Sequence, residues 1–272
     1  MKPIDNNASL DTLTVMSIGI VSFIVANVLH EAVGHGGACL LLGGLAQELS
    51  TAHFSCHLIV DGWPERVVSS AGTIVNFVAA LLFGLAYSRL STQRPSLKYF
   101  CWFAMCNNYF VAAGYPLFSG VIGVGDWVTV VQGWQPLWLW KVALIASGAV
   151  LYFLIGIPLM LKRIAPLIGA DPAERLPRAF KLTVPPYVAG AVATSIGALF
   201  NPIGAFVIFT SAAAAFGGNS ALGWMTQLLK GSRFPQVSQS LVVIERNWLW
   251  VGAATALALA HIFILGAGIQ FS

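Results

Sequence analysis

Three ionisable side chains crowd into one short stretch of this chain: His30, Glu31 and His35, in Leu29-His30-Glu31-Ala32-Val33-Gly34-His35-Gly36. From Thr12 to Gly44 the only other ionisable group is the thiol of Cys39. A charge at the centre of a bilayer costs about 2.5–3.5 kcal/mol on insertion scales, so such residues in apolar segments usually mark a site. The plainer reading, a polar cluster that glues helices together, leaves that cost uncompensated. Imidazoles ligate divalent metals in their neutral form, and a metal ion offsets the charge of nearby carboxylates. Besides Glu31, the acidic residue in strongly apolar surroundings is Asp126, within Gly123-Val124-Gly125-Asp126-Trp127. Two imidazoles and a carboxylate are the protein part of a hydrolytic zinc site whose fourth position stays open to water. His30, His35 and Asp126 are therefore the expected Zn²⁺ ligands. Glu31 is the expected general base, taking the proton of a water that the metal acidifies.

The spacing raises a difficulty. On a regular α-helix, residues four apart differ in direction by about 40°, but residues five apart differ by about 140°. His30 and His35 cannot share a face of such a helix. A π-bulge restores a common direction. A helix end at Gly34 swings His35 round instead. In a third arrangement Glu31 and His35, four apart, are the helical ligand pair and His30 has another role.

The elements that must position these groups are membrane helices. The chain has 272 residues, 57% hydrophobic and 9% charged, against about 25% charged in soluble domains. It reads as an all-α, multi-pass integral membrane protein forming one domain over residues 1–272, with no polar stretch long enough for a soluble domain. The net charge of +4 is spread over short loops, where it sets topology and not nucleic-acid binding. Met1–Asp11 lacks a signal-peptide pattern, so the first span is expected to be retained. No CxxC pair occurs among Cys39, Cys56, Cys101 and Cys106, so reduced, buried thiols are expected.

Six spans are expected: residues 12–45, 67–88, 99–118 (broken at Gly114-Tyr115-Pro116), 136–161, 184–216 (broken at Asn201-Pro202) and 247–269. Between the first two, residues 47–66 alternate in polarity around Asp61-Gly62, which reads as a short re-entrant β-hairpin. Residues 162–183 read as a polar loop. With six spans, Lys2, the 89–98 loop and the 162–183 loop fall on the more basic side, which places both termini in the cytoplasm.

The order of motifs resembles the site-2 protease family of intramembrane zinc metalloproteases. That family has a His-Glu motif in its first core helix, then a re-entrant hairpin. A Gly-Pro-x-x-Asn-like element opens its second core helix, and a metal-binding Asp-Gly lies in the third. Here His30-Glu31 to His35, residues 47–66, Gly72-Thr73-Ile74-Val75-Asn76 and Gly125-Asp126-Trp127 stand in that order. The likeness covers residues 12–130; residues 131–272 match only as additional transmembrane helices. This chain departs from it with HExxxH in place of HExxH, Thr73 in place of proline and Trp127 in place of glycine. The resemblance implies Zn²⁺, proteolysis of membrane-protein or peptide substrates within the bilayer, and a bacterial cell (inner) membrane. It also implies that Asn76 and Asn107 bind the substrate, whereas their plain reading is interhelical hydrogen bonding.

His53 and His57 lie in the hairpin and are candidates for additional metal ligands, although loop histidines have many ordinary uses. His261, alone in the last span, reads as a packing residue. The rival enzyme class is a membrane metal-dependent oxidase or hydroxylase, whose di-iron form needs around eight histidines; this chain has five. The non-enzyme rivals are a protease-like binder and a transporter with broken helices.

Overall fold

The fold is that of a computed structural model, in which residues 9–59, 62–169, 171–201, 213–230 and 242–271 are described. The chain opens with α1 (Thr12–Val28), a π-helical segment (Leu29–Gly36) and α2 (Gly37–Leu41), which run on as one rod. Strands β1 (Leu45–Leu49) and β2 (Phe54–His57) follow, then α3 (Trp63–Arg89), α4 (Pro95–Ile122) and α5 (Asp126–Val131). Next come α6 (Leu137–Ala149), a second π segment (Val150–Gly156) and α7 (Ile157–Ile168), also continuous, and α8 (Pro172–Ala198). Short helical turns over Ala213–Gly218, Ala221–Trp224 and Met225–Lys230 lead to α9 (Trp248–Ala260), a π-helical end (His261–Leu265) and β3 (Ile269–Gln270).

The helix boundaries have local causes. The Asp11 carboxylate accepts from Thr14 N at 2.9 Å to cap α1, and the Asn247 side chain caps α9 in the same way. Proline opens α3, α4 and α8 in the first turn, where its missing N–H costs nothing. Gly123, at φ 78°, ends α4 in the left-handed conformation.

Helix α4 is the centre of the molecule. Its Tyr99, Trp102, Phe103 and Phe110 are fully buried, and its polar tips tie down neighbours. Tyr99 Oη donates to Leu182 O at 2.8 Å and Tyr109 Oη to Leu151 O at 2.9 Å. Among the described residues, four stretches are long and apolar enough to cross a membrane: Thr12–Leu41, Trp63–Arg89, Leu137–Ile168 and Trp248–Leu265. The all-helical, membrane-type class is therefore seen, with four such helices where six spans were expected.

Several local expectations are corrected. Helix α4 is unbroken and passes through Pro116; one missing hydrogen bond is tolerated inside a packed bundle. Residues 162–183 are mostly helical, because α7 extends to Ile168 and Asp171 caps α8 by accepting from Ala173 N at 2.9 Å. Arg178 turns inward there and donates to Val242 O at 2.5 Å. Asn201-Pro202 lies just beyond α8, and residues 202–212 are outside the described residues.

The hairpin turns at Ser50–His53, not at Asp61-Gly62. Ser50 Oγ accepts from the backbone N of Ala52 and His53 at 3.3 and 3.2 Å, a side-chain turn that supplants the Asp-Gly signal. Gly62 instead starts α3 at φ 97°, and Asp61 lies outside the described residues. The register pairs Leu45 with His57 and Leu49 with Phe54, with a bulge between Ala46 and Glu48. The expected reduced thiols are also half wrong. Cys101 and Cys106 are free and buried, but Cys39 and Cys56 form a disulfide because β2 folds back over α2, with the two Cα atoms 6.0 Å apart.

The two ends of the bundle settle the course of the chain. At one end, Arg246 Nε meets Asp11 Oδ1 at 2.8 Å and Ile244 bridges Leu10. That guanidinium, as a hydrogen-bonding cation, holds the Asp11 carboxyl down at about 2. At the other end, β3 pairs with β1, Glu48 opposite Gln270. α1 and α9 thus run parallel, and β3 lies at the opposite end from Asp11. Among the described residues the expectation of both ends on one side fails, because α8 runs the same way as α9, with Arg178 against Val242 at the Asp11 end and Gly197 against His261 at the other.

Candidate metal centre

The π segment resolves the spacing problem. Its turns bond i to i+5, one residue more than an α turn, so His30 and His35 come to lie on one side. Their ring centroids are 4.8 Å apart, edge to face. Both rings are buried, His30 at 3% and His35 at 6% exposure. Val33, in the middle of the extra turn, faces outward at 51% exposure.

Asp126 arrives from a distant part of the chain. Gly123 and Gly125, at φ 78° and 95°, let the chain reverse tightly after α4. α5 then begins with Asp126, and Trp127 Nε1 donates to Thr73 Oγ1 at 3.1 Å, which fastens α5 to α3. Asp126 Oδ2 lies 3.0 Å from His30 Nε2 and 3.5 Å from His35 Nε2. Among the described residues these three form a group whose candidate ligand atoms all lie within 4.8 Å of one another.

One face of α3 orients both rings. Val68, Gly72 and Asn76, each four residues apart, share that face. His35 Nδ1 donates to Val68 O at 2.7 Å, and His30 Nδ1 meets Asn76 Oδ1 at 2.6 Å. Gly72 sits between them, so close that a Cβ there would be 2.6 Å from His30 Nε2. Gly34 packs against it from the π segment, its own Cβ position 2.5 Å from Gly72 Cα.

The proton positions follow from the network. Asn108 Nδ2 donates to Ala104 O at 2.8 Å, a pure acceptor, so Asn108 Oδ1 must accept from Asn76 Nδ2 at 2.8 Å. Asn76 Nδ2 also donates to Ala26 O at 3.1 Å, which leaves Asn76 Oδ1 to accept from His30 Nδ1–H. A backbone carbonyl likewise fixes the proton of His35 on Nδ1. In the neutral rings both Nε2 atoms are then acceptors, and both face the Asp126 carboxylate. Three acceptors at 3.0–3.5 Å repel unless a cation lies among them. A proton on each ring or one metal ion meets that need. The donor set, two imidazole nitrogens oriented by second partners and one carboxylate oxygen, fits a divalent metal.

The remaining residues fall into place around this centre. Glu31 is buried at 4% exposure within the same π segment. It is outside the three-residue group and makes no hydrogen bond with the described residues. Asn76 is fully buried, with both ends of its carboxamide engaged by protein, so what it touches is the His30 ring. Asn107 points elsewhere, donating to Ser22 Oγ at 3.3 Å on α1. His53 and His57 are not brought to the group. His53 Nδ1 pairs with Ser50 Oγ at 2.8 Å and its Nε2 lies 3.5 Å from Glu48, while His57 is exposed at the end of β2.

Two contributors are absent from the sequence reading, and a third is legible there only in part. Tyr115 stacks on His30 with centroids 4.6 Å apart and holds the ring's outer face. Its place beside Gly114 and Pro116 reads as a break and hides that role. The Val68 carbonyl carries no side-chain signal at all. Asn108 is legible only as an interhelical polar group, yet it fixes the tautomer of His30.

Gly72→Ala is expected to keep the helix, since alanine is the better helix former, but to push the His30 ring off its position. Metal content per purified chain should fall strongly while circular dichroism stays unchanged. Full metal content in that variant would mean that His30 is not a ligand.

No family model, no curated protein and no solved structure matches this chain.

Proposed function

We propose that this chain is an intramembrane zinc metalloprotease, a hydrolase acting on peptide bonds of membrane-embedded protein or peptide substrates. The observation that carries the reading is the convergence of His30 Nε2, His35 Nε2 and Asp126 Oδ2, both imidazoles oriented through Nδ1, with the buried Glu31 in the same π segment. Zn²⁺ held there supplies a Lewis acid that acidifies water and polarises a carbonyl. Glu31 accepts the proton of the attacking water and returns it to the leaving amine. Asn76 and the Val68 carbonyl hold the rings in the ligating tautomer, and Asn108 holds Asn76. The surrounding apolar helices keep bulk water away, which strengthens each of these electrostatic contacts.

In this reading α1 with its π segment, α3, α4, α6–α7, α8 and α9 lie in the bilayer; five of them fall near expected spans, and α8 (Pro172–Ala198) stands in place of the expected 184–216. The Asp11 end faces the cytoplasm of a bacterial cell. Arg246 joins Lys98, Arg163 and Arg178 at that end, in keeping with positive charge on the cytoplasmic side. The disulfide-tied hairpin then faces the oxidising side, where such a bond persists.

The same ligand set, two histidines and one carboxylate, also serves mononuclear iron oxygenases, so a metal-dependent hydroxylase is the second reading. Metal analysis of the purified chain, with cleavage of a transmembrane peptide before and after chelation, decides between them. One zinc per chain, with cleavage lost on chelation and restored by zinc, is the expected result. Bound iron with oxygen-dependent substrate oxidation would replace the protease reading by the second, and no metal at all would remove both.

A further inference from the structure

A second group of buried polar atoms lies at the hairpin end of the rod that carries Glu31 and has no hydrogen-bond partner among the described residues. Asn27 Oδ1, Thr51 Oγ1 and both ring nitrogens of His261 are fully buried without a hydrogen bond. Thr51 and His261 are each 1% exposed. The Thr194 carbonyl approaches the His261 ring without reaching hydrogen-bond geometry. These groups belong to three elements that the fold gathers at the hairpin end. Asn27 Nδ2 donates to Thr51 O at 2.9 Å, and Thr51 N donates to Leu265 O at 3.2 Å, joining α1, the hairpin turn and the π-helical end after α9. Thr51 and His261 also flank the same spot on α8, where a Cβ on Gly197 would lie 2.9 Å from Thr51 Cγ2 and 3.1 Å from His261 Cδ2.

Leaving so many buried donors and acceptors unpaired costs about 1–3 kcal/mol each, and native proteins meet such groups with ordered water. The inventory suits water well. A neutral imidazole offers one donor and one acceptor, the threonine hydroxyl one donor and two lone pairs, and Asn27 Oδ1 an acceptor. Water, with two of each, has the valence to serve these groups. The position gives the cluster a use. Asn27 precedes Glu31 by four residues on the same rod, and the turn that carries Thr51 also carries the partly exposed His53.

We propose that Asn27, Thr51 and His261 form a buried water site between the hairpin surface and Glu31, through which the metal centre receives the water it consumes. The role as supplier rests on the hydrolytic reading above; the existence of the site does not. A hydrolase inside an apolar bundle needs such a station, because water is scarce at that depth and every peptide bond cleaved uses one molecule.

The test begins with the unaltered protein in lipid nanodiscs. X-ray-generated hydroxyl radicals label side chains next to bound water, and labelling is read by mass spectrometry. His261 should be labelled well above Trp102, a comparably buried side chain in the hydrophobic core. Labelling no higher than that of Trp102 would overturn the water site. In Thr51→Val and Asn27→Leu, His261 labelling should drop, metal content should stay, and cleavage should fall by about tenfold, equivalent to losing one well-placed hydrogen bond. Unchanged cleavage alongside lost labelling would overturn the supply role. If the unaltered chain cleaves nothing, the protease reading fails by itself, while the labelling contrast still decides whether water is held there.

Discussion

Glu31→Gln is expected to keep its metal and lose hydrolysis. Glutamine has the shape of glutamate, so the 4%-exposed pocket beside the ligands stays filled. The amide has no basic oxygen to take a proton from water, and losing general-base catalysis costs about 10²–10⁴-fold. Because Glu31 lies outside the three-residue ligand group, the substitution removes no ligand atom. Metal per chain by mass spectrometry and cleavage of a transmembrane peptide should therefore separate: occupancy near that of the parent, activity near background. The opposite pattern, metal lost while the remaining holo fraction cleaves normally, would make Glu31 a ligand and end its role as base.

Asp126→Ala is expected to empty the centre. Asp126 Oδ2 is the only carboxylate oxygen in the three-residue group, 3.0 and 3.5 Å from the two Nε2 atoms. Without it, two imidazoles remain, with no carboxylate in the three-residue group to balance a dication in an apolar bundle. Loss of an outer partner of a metal ligand weakens binding by about 10–100-fold, and loss of a direct ligand should exceed that. The Trp127–Thr73 bond is untouched, so α5 stays docked and the effect is local. Titration with zinc and a competing chelator measures the change. Unaltered affinity would mean that Asp126 only pairs with protonated histidines, and Glu31 would become the strongest remaining candidate for the carboxylate ligand.

How much of this was legible beforehand varies residue by residue, and physics sets the division. Composition alone pointed to the class: few charges among many apolar residues fit the all-helical fold with four helices long and apolar enough to cross a membrane. The members of the group were legible as well, since His30, His35 and Asp126, with Glu31 in the same segment, stand out against apolar surroundings where each charge needs a reason. So was the set Gly72 and Asn76, whose spacing of four is a helical face whatever it packs against. The sequence also posed the right question at His30 and His35, because five residues is the wrong interval for an α-helix.

The tertiary structure alone decided the answer. Extra turns of π-helix carry no reliable local code; this one is seen where Gly34 and Gly72 bring two backbones together and the rings of His30 and His35 find acceptors on α3. The tautomers depend on a relay from Ala104 through Asn108 and Asn76 that crosses three helices. The Cys39–Cys56 bridge, the pairing of β3 with β1, and the parallel course of α1 and α9 are contacts between distant segments. Periodicity records what a residue does to its own turn. It is silent on which remote partner wins, because that choice is made by packing the whole chain at once.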